Sequence, residues 1–464
     1  MSQQDIIHDD ITDPDLRLLG EQVIETMQRL HVPSVAVGVL HNGQEHVVGF
    51  GVTSIENPLP VNADTLFQIG SITKTFVGTA AMRLVEMGKL GLDVPVRAYL
   101  PDLRLASEQV ASKVTLRHLF THTGGWVGDY FDDFGPGDDA LAKMVSRMSS
   151  LEQLTPLGAV YSYNNAGFYL AGRVIEVVTG KAFEAAIKEL VLDPLGLSMT
   201  FFFPADVMTH RFVVGHQKMD GKPAVARPWA MGRAIYSCGG IVSNAKDLLR
   251  YAHFHLGERV APDGERLLTR ESVTLMQTPL APASGATDAV GVAWMLTNAG
   301  GTWIVRHGGG THGQTTEFRL APARGFAIII LTNSDDGDQL CDQVAEWALE
   351  HYLGIAWPKA APLDLPESKL VPYVGRYASL DSDYELYLQA GKLMMRVAYR
   401  GGFPTPDTPP PSSQPLPVRL AFYAEDRVVA LDPPLQNNRG EFLRDLEGSI
   451  AWFRFGGRIR KREA

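Results

Sequence analysis

Apolar positions recur at helical spacing in "DPDLRLLGEQVIETMQRL", which predicts a helix running from Asp13 or Asp15 as N-cap to about Leu30. "SVAVGVLHNGQEHVVGFGV" then reads as two strands joined at Asn42-Gly43, a dipeptide that accepts the positive φ angles of a tight hairpin. An antiparallel sheet therefore begins early in the chain. An apolar-rich helix follows from Ser71 to about Met87, ending at Gly88 and Gly91, and residues 100–230 read mostly as helical segments and loops. Strand character returns with "GVAWML", "TWIVRH", "TTEFRLAP" and "FAIIILTN", and "DQLCDQVAEWALEHYLGI" closes this part as an amphipathic helix. The pattern is a helix, a sheet interrupted by a helical insertion, and a final helix packed back on the sheet.

The Pro-rich stretch "AWPKAAPLDLPES" predicts a linker over 357–368, separating a unit spanning 1–356 from one spanning 369–464. In the second unit, "YELYLQAGKLMMRVAYR", "VRLAFYAEDRVVAL" and "SIAWFRFGGRIRKR" are short alternating strands with turn residues between them, so a small all-β unit is expected. "PTPDTPPPSSQPLP" reads as a long loop within it, and the basic end "RIRKREA" as a solvated strand end.

Composition narrows the function without naming it. A chain of 464 residues with 45% hydrophobic and 20% charged residues is an ordinary globular protein, and its formal net charge of −10 argues against nucleic acid. Two cysteines, Cys238 and Cys341, are too few for a disulfide framework. The acidic start "MSQQDIIHDDITDPD" lacks the basic and apolar regions of a secretory signal, so a cytoplasmic location is expected. No apolar run reaches the ~18 residues needed to cross a bilayer, so no membrane partner is expected.

The candidate chemistry starts at "FQIGSITKTF". Ser71 and Lys74 at i and i+3 share one face of a helix start, where the amine can approach the hydroxyl and a backbone N–H can stabilise an oxyanion. The alternative is an N-cap beside a solvated charge. The spacing alone does not decide, because "SNAK" at Ser243–Lys246 repeats it and reads as the N-cap of "DLLRYAHFHL".

Two later stretches discriminate. "YSYNNAGFYLAG" supplies Tyr163 and Asn165 as Y-x-N, and "RHGGGTHGQTTEF" supplies His307 and Gly309 as H-x-G on a predicted strand. In this order the three motifs resemble those of the serine β-lactamase and penicillin-binding protein superfamily, nearest to its class C-like and esterase-like (peptidase S12-like) members. "TLRHLFTHTGGW" and "GGIVSNAKDLLRYA" are similar to connecting segments of that family, and the resemblance covers about residues 15–354. It implies an α+β fold: an antiparallel sheet flanked by helices, plus a helical subdomain, with the active site in the cleft between. The second unit, from "YVGRYAS" to "EFLRDLEGSIAWFRF", resembles the lipocalin-like β-barrel appended to some of these hydrolases.

Carried over by position, the resemblance implies that Ser71 is acylated, that Lys74 is its base or relay, and that Tyr163 passes a proton to the leaving group, as a phenol or as a phenolate held by Lys74. Asn165 would hold a substrate amide, and the N–H groups of Ser71 and Gly310 would form the oxyanion hole. His307-Gly308-Gly309 stands where many lactamases carry K-T-G, and a neutral imidazole pulls more weakly on a substrate carboxylate than lysine does, so an ester or amide of a small molecule or short D-amino-acid peptide is favoured over a β-lactam. A β-lactamase or D,D-peptidase, and a non-catalytic assembly or sensing protein, are the rival readings. No metal or organic cofactor is required, and a homo-oligomer is left open.

Other signals have plainer readings. "HGGG" suggests the oxyanion loop of α/β-hydrolases, yet no G-x-S-x-G elbow accompanies it. His118 and His122 have i, i+4 spacing but lack H-E-x-x-H, so packing or hydrogen bonding is expected rather than zinc. "SYN" at Ser162–Asn164 also reads as S-x-N, although Tyr163 as first residue of the family phrase fits better. Asp129, Asp132, Asp133, Asp138 and Asp139 lack calcium-loop spacing and are expected in a solvated loop, whose aromatics Trp126, Tyr130, Phe131 and Phe134 are either packing residues or a substrate wall.

Overall fold

The computed structural model describes residues 13–463, apart from 220, 259–263, 265, 285, 286, 381, 404–407 and 409–413. Most of the Pro-rich loop expectation at 404–417, and the N-terminal residues 1–12, therefore lie outside the described residues.

Helix Pro14–Leu30 is capped by Asp13, whose carboxylate accepts the Leu16 N–H at 2.8 Å. The hairpin of strands Ser34–His41 and Gln44–Gly51 turns at Asn42 and Gly43, both at positive φ. These strands begin an eight-stranded sheet that continues through Phe326–Thr332, Gln314–Ala321, Thr302–Thr311 and Met295–Ala299 to two short strands, Ala289–Val290 and Ala281–Pro282. Neighbouring strands pair antiparallel throughout. Only the strand expected at "GVAWML" is displaced: it runs Met295–Ala299, because Ala293 turns the chain at φ 60° and Trp294 enters the core from that turn.

Alternation along the strands splits the sheet between two cores. Val35, Val37, Val39, Ile328 and Ile330 face helices Pro14–Leu30 and Gly337–Leu353. Ala36, Leu40, Ile329, Leu331 and Phe318 face the opposite side, with helices Thr73–Glu86, Asn165–Thr179 and Ala245–His255. Because both faces are covered, Phe326–Thr332 is buried at every position. Helix Thr73–Glu86 runs through this second core with its first ten residues all buried, which is why a lysine on it is wholly removed from water.

The C-terminal unit is a closed eight-stranded barrel from Gly375–Ala378 to Arg458–Arg462, with neighbours in chain order. Period-two alternation turns Tyr384, Leu386, Met395 and Val397 into its own core with Phe422, Phe442 and Phe453. The basic end is not the solvated strand end expected: Arg460 is 2% exposed with its guanidinium 3.7 Å from the Tyr384 ring centroid, and Arg458 turns toward the first unit. A cation over an aromatic face is stabilised there without full hydration. Among the described residues, no helix is long and apolar enough to cross a membrane.

Candidate active site

Ser71 sits in the single 3-10 turn Gly70–Ile72 that leads into helix Thr73–Glu86. No side chain caps that helix, so Ser71 is not its N-cap. Its Oγ instead receives the Lys74 Nζ at 2.9 Å, while the same amine donates to the Cys238 carbonyl at 2.7 Å. Lys74 is fully buried, so the solvated-charge alternative does not hold. Burial lowers its pKa from 10.5 to about 8, with the Arg458 charge acting in the same direction and Cys238 and Asp129 opposing it.

The competing "SNAK" copy has a different fate. Asn244, not Ser243, caps helix Ala245–His255 by accepting the Asp247 N–H at 2.9 Å, and Lys246 pairs with Asp64 on the surface.

Tyr163 meets this pair from the loop before helix Asn165–Thr179. Its ring centroid lies 5.0 Å from Lys74 Nζ, and the Ser71 hydroxyl is close enough to act on its phenol. Burial raises the phenol well above its ordinary value, only partly offset by Ser71 and Arg458, so a resting phenolate is disfavoured and the proton stays on oxygen. His122 stacks on the same ring at 4.4 Å. That histidine is held neutral by burial and accepts the Asn164 N–H at 3.0 Å, while His118 caps helix Leu116–Phe120 through Thr115. Among the described residues, no cluster of metal-ligating side chains occurs.

The third motif brings its backbone rather than its side chain. Strand Met295–Ala299 pairs with strand Thr302–Thr311 only as far as Arg306, so from His307 onward that edge lacks this partner. The Gly70 turn fills the gap. A Cβ on Gly309 would stand 2.0 Å from the Ile69 carbonyl oxygen, and one on Gly70 would stand 2.7 Å from the Gly310 nitrogen. The glycines therefore permit a backbone approach that any side chain would block. Gly310 itself is exposed beside this contact. His307 is 1% exposed, with Nδ1 within 2.6 Å of the Gly308 carbonyl and its pKa pushed down to about 3, first by burial and then by Lys74.

Asn165 is also spoken for: its Nδ2 donates to Asp129 at 2.6 Å, and Asp129 pairs with Arg458 of the barrel. Asp129 is thus drawn out of the expected solvated loop. Of that loop's aromatics, Trp126 is core, while Tyr130, Phe131 and Phe134 pack against it, Phe131 edge-on to Phe403 at 4.9 Å. Ser162 of the S-x-N alternative accepts the Ile459 N–H at 3.2 Å from the barrel. Sequence reasoning assigned Asp129, His122, Cys238 and Arg458 other roles and did not place them at the site. A cation–π or carbonyl contact has no spacing signature, so nothing in the sequence pointed to them.

The family described as Beta-lactamase matches residues 21–352. A protein from Amycolatopsis lactamdurans named penicillin-binding protein 4 is 32% identical over 75% of this chain and 93% of its own. The solved structure of SurE with D-Leu superposes with a TM-score of 0.75 at 25% identity, covering 96% of this chain and 99% of that one, so it spans both units. A class C β-lactamase from Rhodobacter sphaeroides shares the fold with a TM-score of 0.61 at 24% identity, over 72% of this chain and 99% of its own. On the extent of the family match and the identity to its relatives, this chain belongs to the β-lactamase family of serine hydrolases and penicillin-binding proteins.

Proposed function

We propose that this protein hydrolyses an ester or amide bond of a small molecule or short D-amino-acid peptide through an acyl-enzyme on Ser71. The observation that carries the reading is Lys74: an amine brought to about 8 by burial, with a serine hydroxyl and a backbone carbonyl as its hydrogen-bond partners. In its neutral form it accepts the Ser71 proton as Oγ bonds to the substrate carbonyl carbon. The oxyanion is met by the N–H groups of Ser71 and Gly310. Tyr163, protonated at rest, gives its proton to the departing alkoxide or amine and is reprotonated from Lys74. Water then repeats the sequence in reverse to release the acid.

His307 is too buried and too weakly basic to serve as a carboxylate anchor, so substrate contact at this motif runs through the backbone of Gly308–Gly310. That weakens the β-lactamase alternative. The D-Leu present in the SurE structure supports a D-amino-acid substrate. With its nitrogen on Asp129, Asn165 offers its carbonyl oxygen to a substrate N–H.

Turnover of a nitrophenyl ester, with intact-mass detection of a fluorophosphonate adduct, tests the reading. Ser71→Ala is expected to abolish both, and unchanged turnover in that variant removes Ser71 as nucleophile. Rapid nitrocefin hydrolysis favours the lactamase reading, whereas an ester adduct persisting for hours favours a non-catalytic sensor.

A further inference from the structure

The segment carrying Tyr163, residues 160–164, belongs to no helix or strand, so its backbone groups need partners from elsewhere. The last barrel hairpin, Ile450–Phe455 and Arg458–Arg462 joined by Gly456-Gly457, holds three successive residues, Tyr161 and Tyr163 by their backbone and Ser162 by its side chain. Arg454 donates to the Tyr161 carbonyl at 2.8 Å, the Ile459 N–H donates to Ser162 Oγ at 3.2 Å, and the Tyr163 N–H donates to the Gly457 carbonyl at 2.8 Å.

Arg458 goes further. Its guanidinium lies 4.8 Å from the Tyr163 ring centroid and pairs with Asp129, the carboxylate that holds Asn165. One arginine thus touches the first residue of Y-x-N directly and the third through a single carboxylate. The Asp129 side chain is 11% exposed and that of Arg458 33%, and a partly buried ion pair of this kind contributes little to stability for its own sake.

We propose that Arg458 is a positioning residue for Tyr163 and Asn165, and that the terminal hairpin of the barrel is a working part of the hydrolytic site rather than an appended module. The inference rests on the Ser71 reading above. Arg458 and His122 together fix the plane of the Tyr163 ring, and Arg458 balances the Asp129 charge that would otherwise favour the Lys74 ammonium. The groups facing Lys74 are Ser71 in the turn before its helix, Tyr163, Cys238, His122, His307, Asp129 and Arg458, and both histidines are neutral at working pH.

The full-length protein is assayed with a nitrophenyl ester across the neutral and alkaline range as wild type, Arg458→Met, Arg458→Lys and Asp129→Asn. Completeness of fluorophosphonate labelling and thermal melting are followed alongside. Loss of orientation in Arg458→Met is expected to lower kcat by about a hundredfold. Its rising pH limb moves to higher pH, because a cation is lost and Asp129 is left unbalanced. Asp129→Asn moves the limb the opposite way. Arg458→Lys restores the limb but only part of kcat, since an ammonium keeps the charge without the planar face and forked grip. A merely structural contact would not give opposite displacements. Complete labelling in all four proteins, with Arg458→Met matching wild type in kcat and limb, overturns this proposal alone. A wild type that takes no label at Ser71 overturns the nucleophile reading and this proposal with it.

Discussion

At the residue scale, activity turns on one proton. Lys74 must be neutral to accept from Ser71, so kcat/KM is expected to rise about tenfold per pH unit and level off near a pKa of about 8. His122 and His307, both lowered by burial, place no limb in the neutral range. A pH–rate profile checks this, and a limb centred near the ordinary histidine value would assign the base elsewhere. The same shift acts on stability. Between about 8 and 10.5 the unfolded chain holds the Lys74 proton and the folded one does not, so this group's contribution to stability rises with pH through that window. The motif residues themselves were legible as sequence. What was not legible is that His307 would be enclosed and that Tyr163 would keep its proton, because both follow from loss of hydration rather than from residue type.

At the scale of elements, the hydrophobic period located the opening helix and hairpin, the helix after Ser71, the later sheet strands and the closing helix, since side-chain alternation and helical spacing are local properties, but it left residues 100–230 as undivided helical segments and loops. It did not show how the sheet is tied to the helix behind it. Glu317, buried on strand Gln314–Ala321, accepts from Arg306 at 3.0 Å and Arg319 at 2.7 Å. Burial opposes its charge, but the two guanidiniums outweigh that and hold its pKa below the usual value. Arg319, wholly buried, also reaches Asp342 on helix Gly337–Leu353 and lies 4.5 Å from the Trp357 ring centroid. Glu317→Ala leaves two guanidiniums short of an anion, and a destabilisation of about 3–5 kcal/mol is expected from denaturant unfolding. A loss within the range of a surface pair would show that Asp342 alone satisfies the arginine.

For the whole molecule, two kinds of contact behave differently. The sheet domain and the barrel have separate apolar cores, and apart from Phe403 packed against the first of them, the contacts described between the two units are hydrogen bonds, cation–π contacts and ion pairs. Interfaces of that polar kind seldom enforce a single cooperative unit. Calorimetry is expected to resolve two overlapping transitions, drawn apart in high salt as Arg458–Asp129 and Lys461–Glu152 are screened. One sharp transition, insensitive to salt, would show that the barrel and the hydrolase unit fold as one.

The sequence by itself determined the elements that frame the sheet, the existence of a second all-β unit and the three motifs, because each is written in spacing along the chain. The motifs together had already singled out Ser71 from the two S-x-x-K copies; only the tertiary structure decided that Lys74 is wholly enclosed beside a tyrosine, and that the basic end of the barrel faces that tyrosine. Those outcomes depend on distances between segments remote in sequence and on how much water each group loses, and neither quantity has a linear signature.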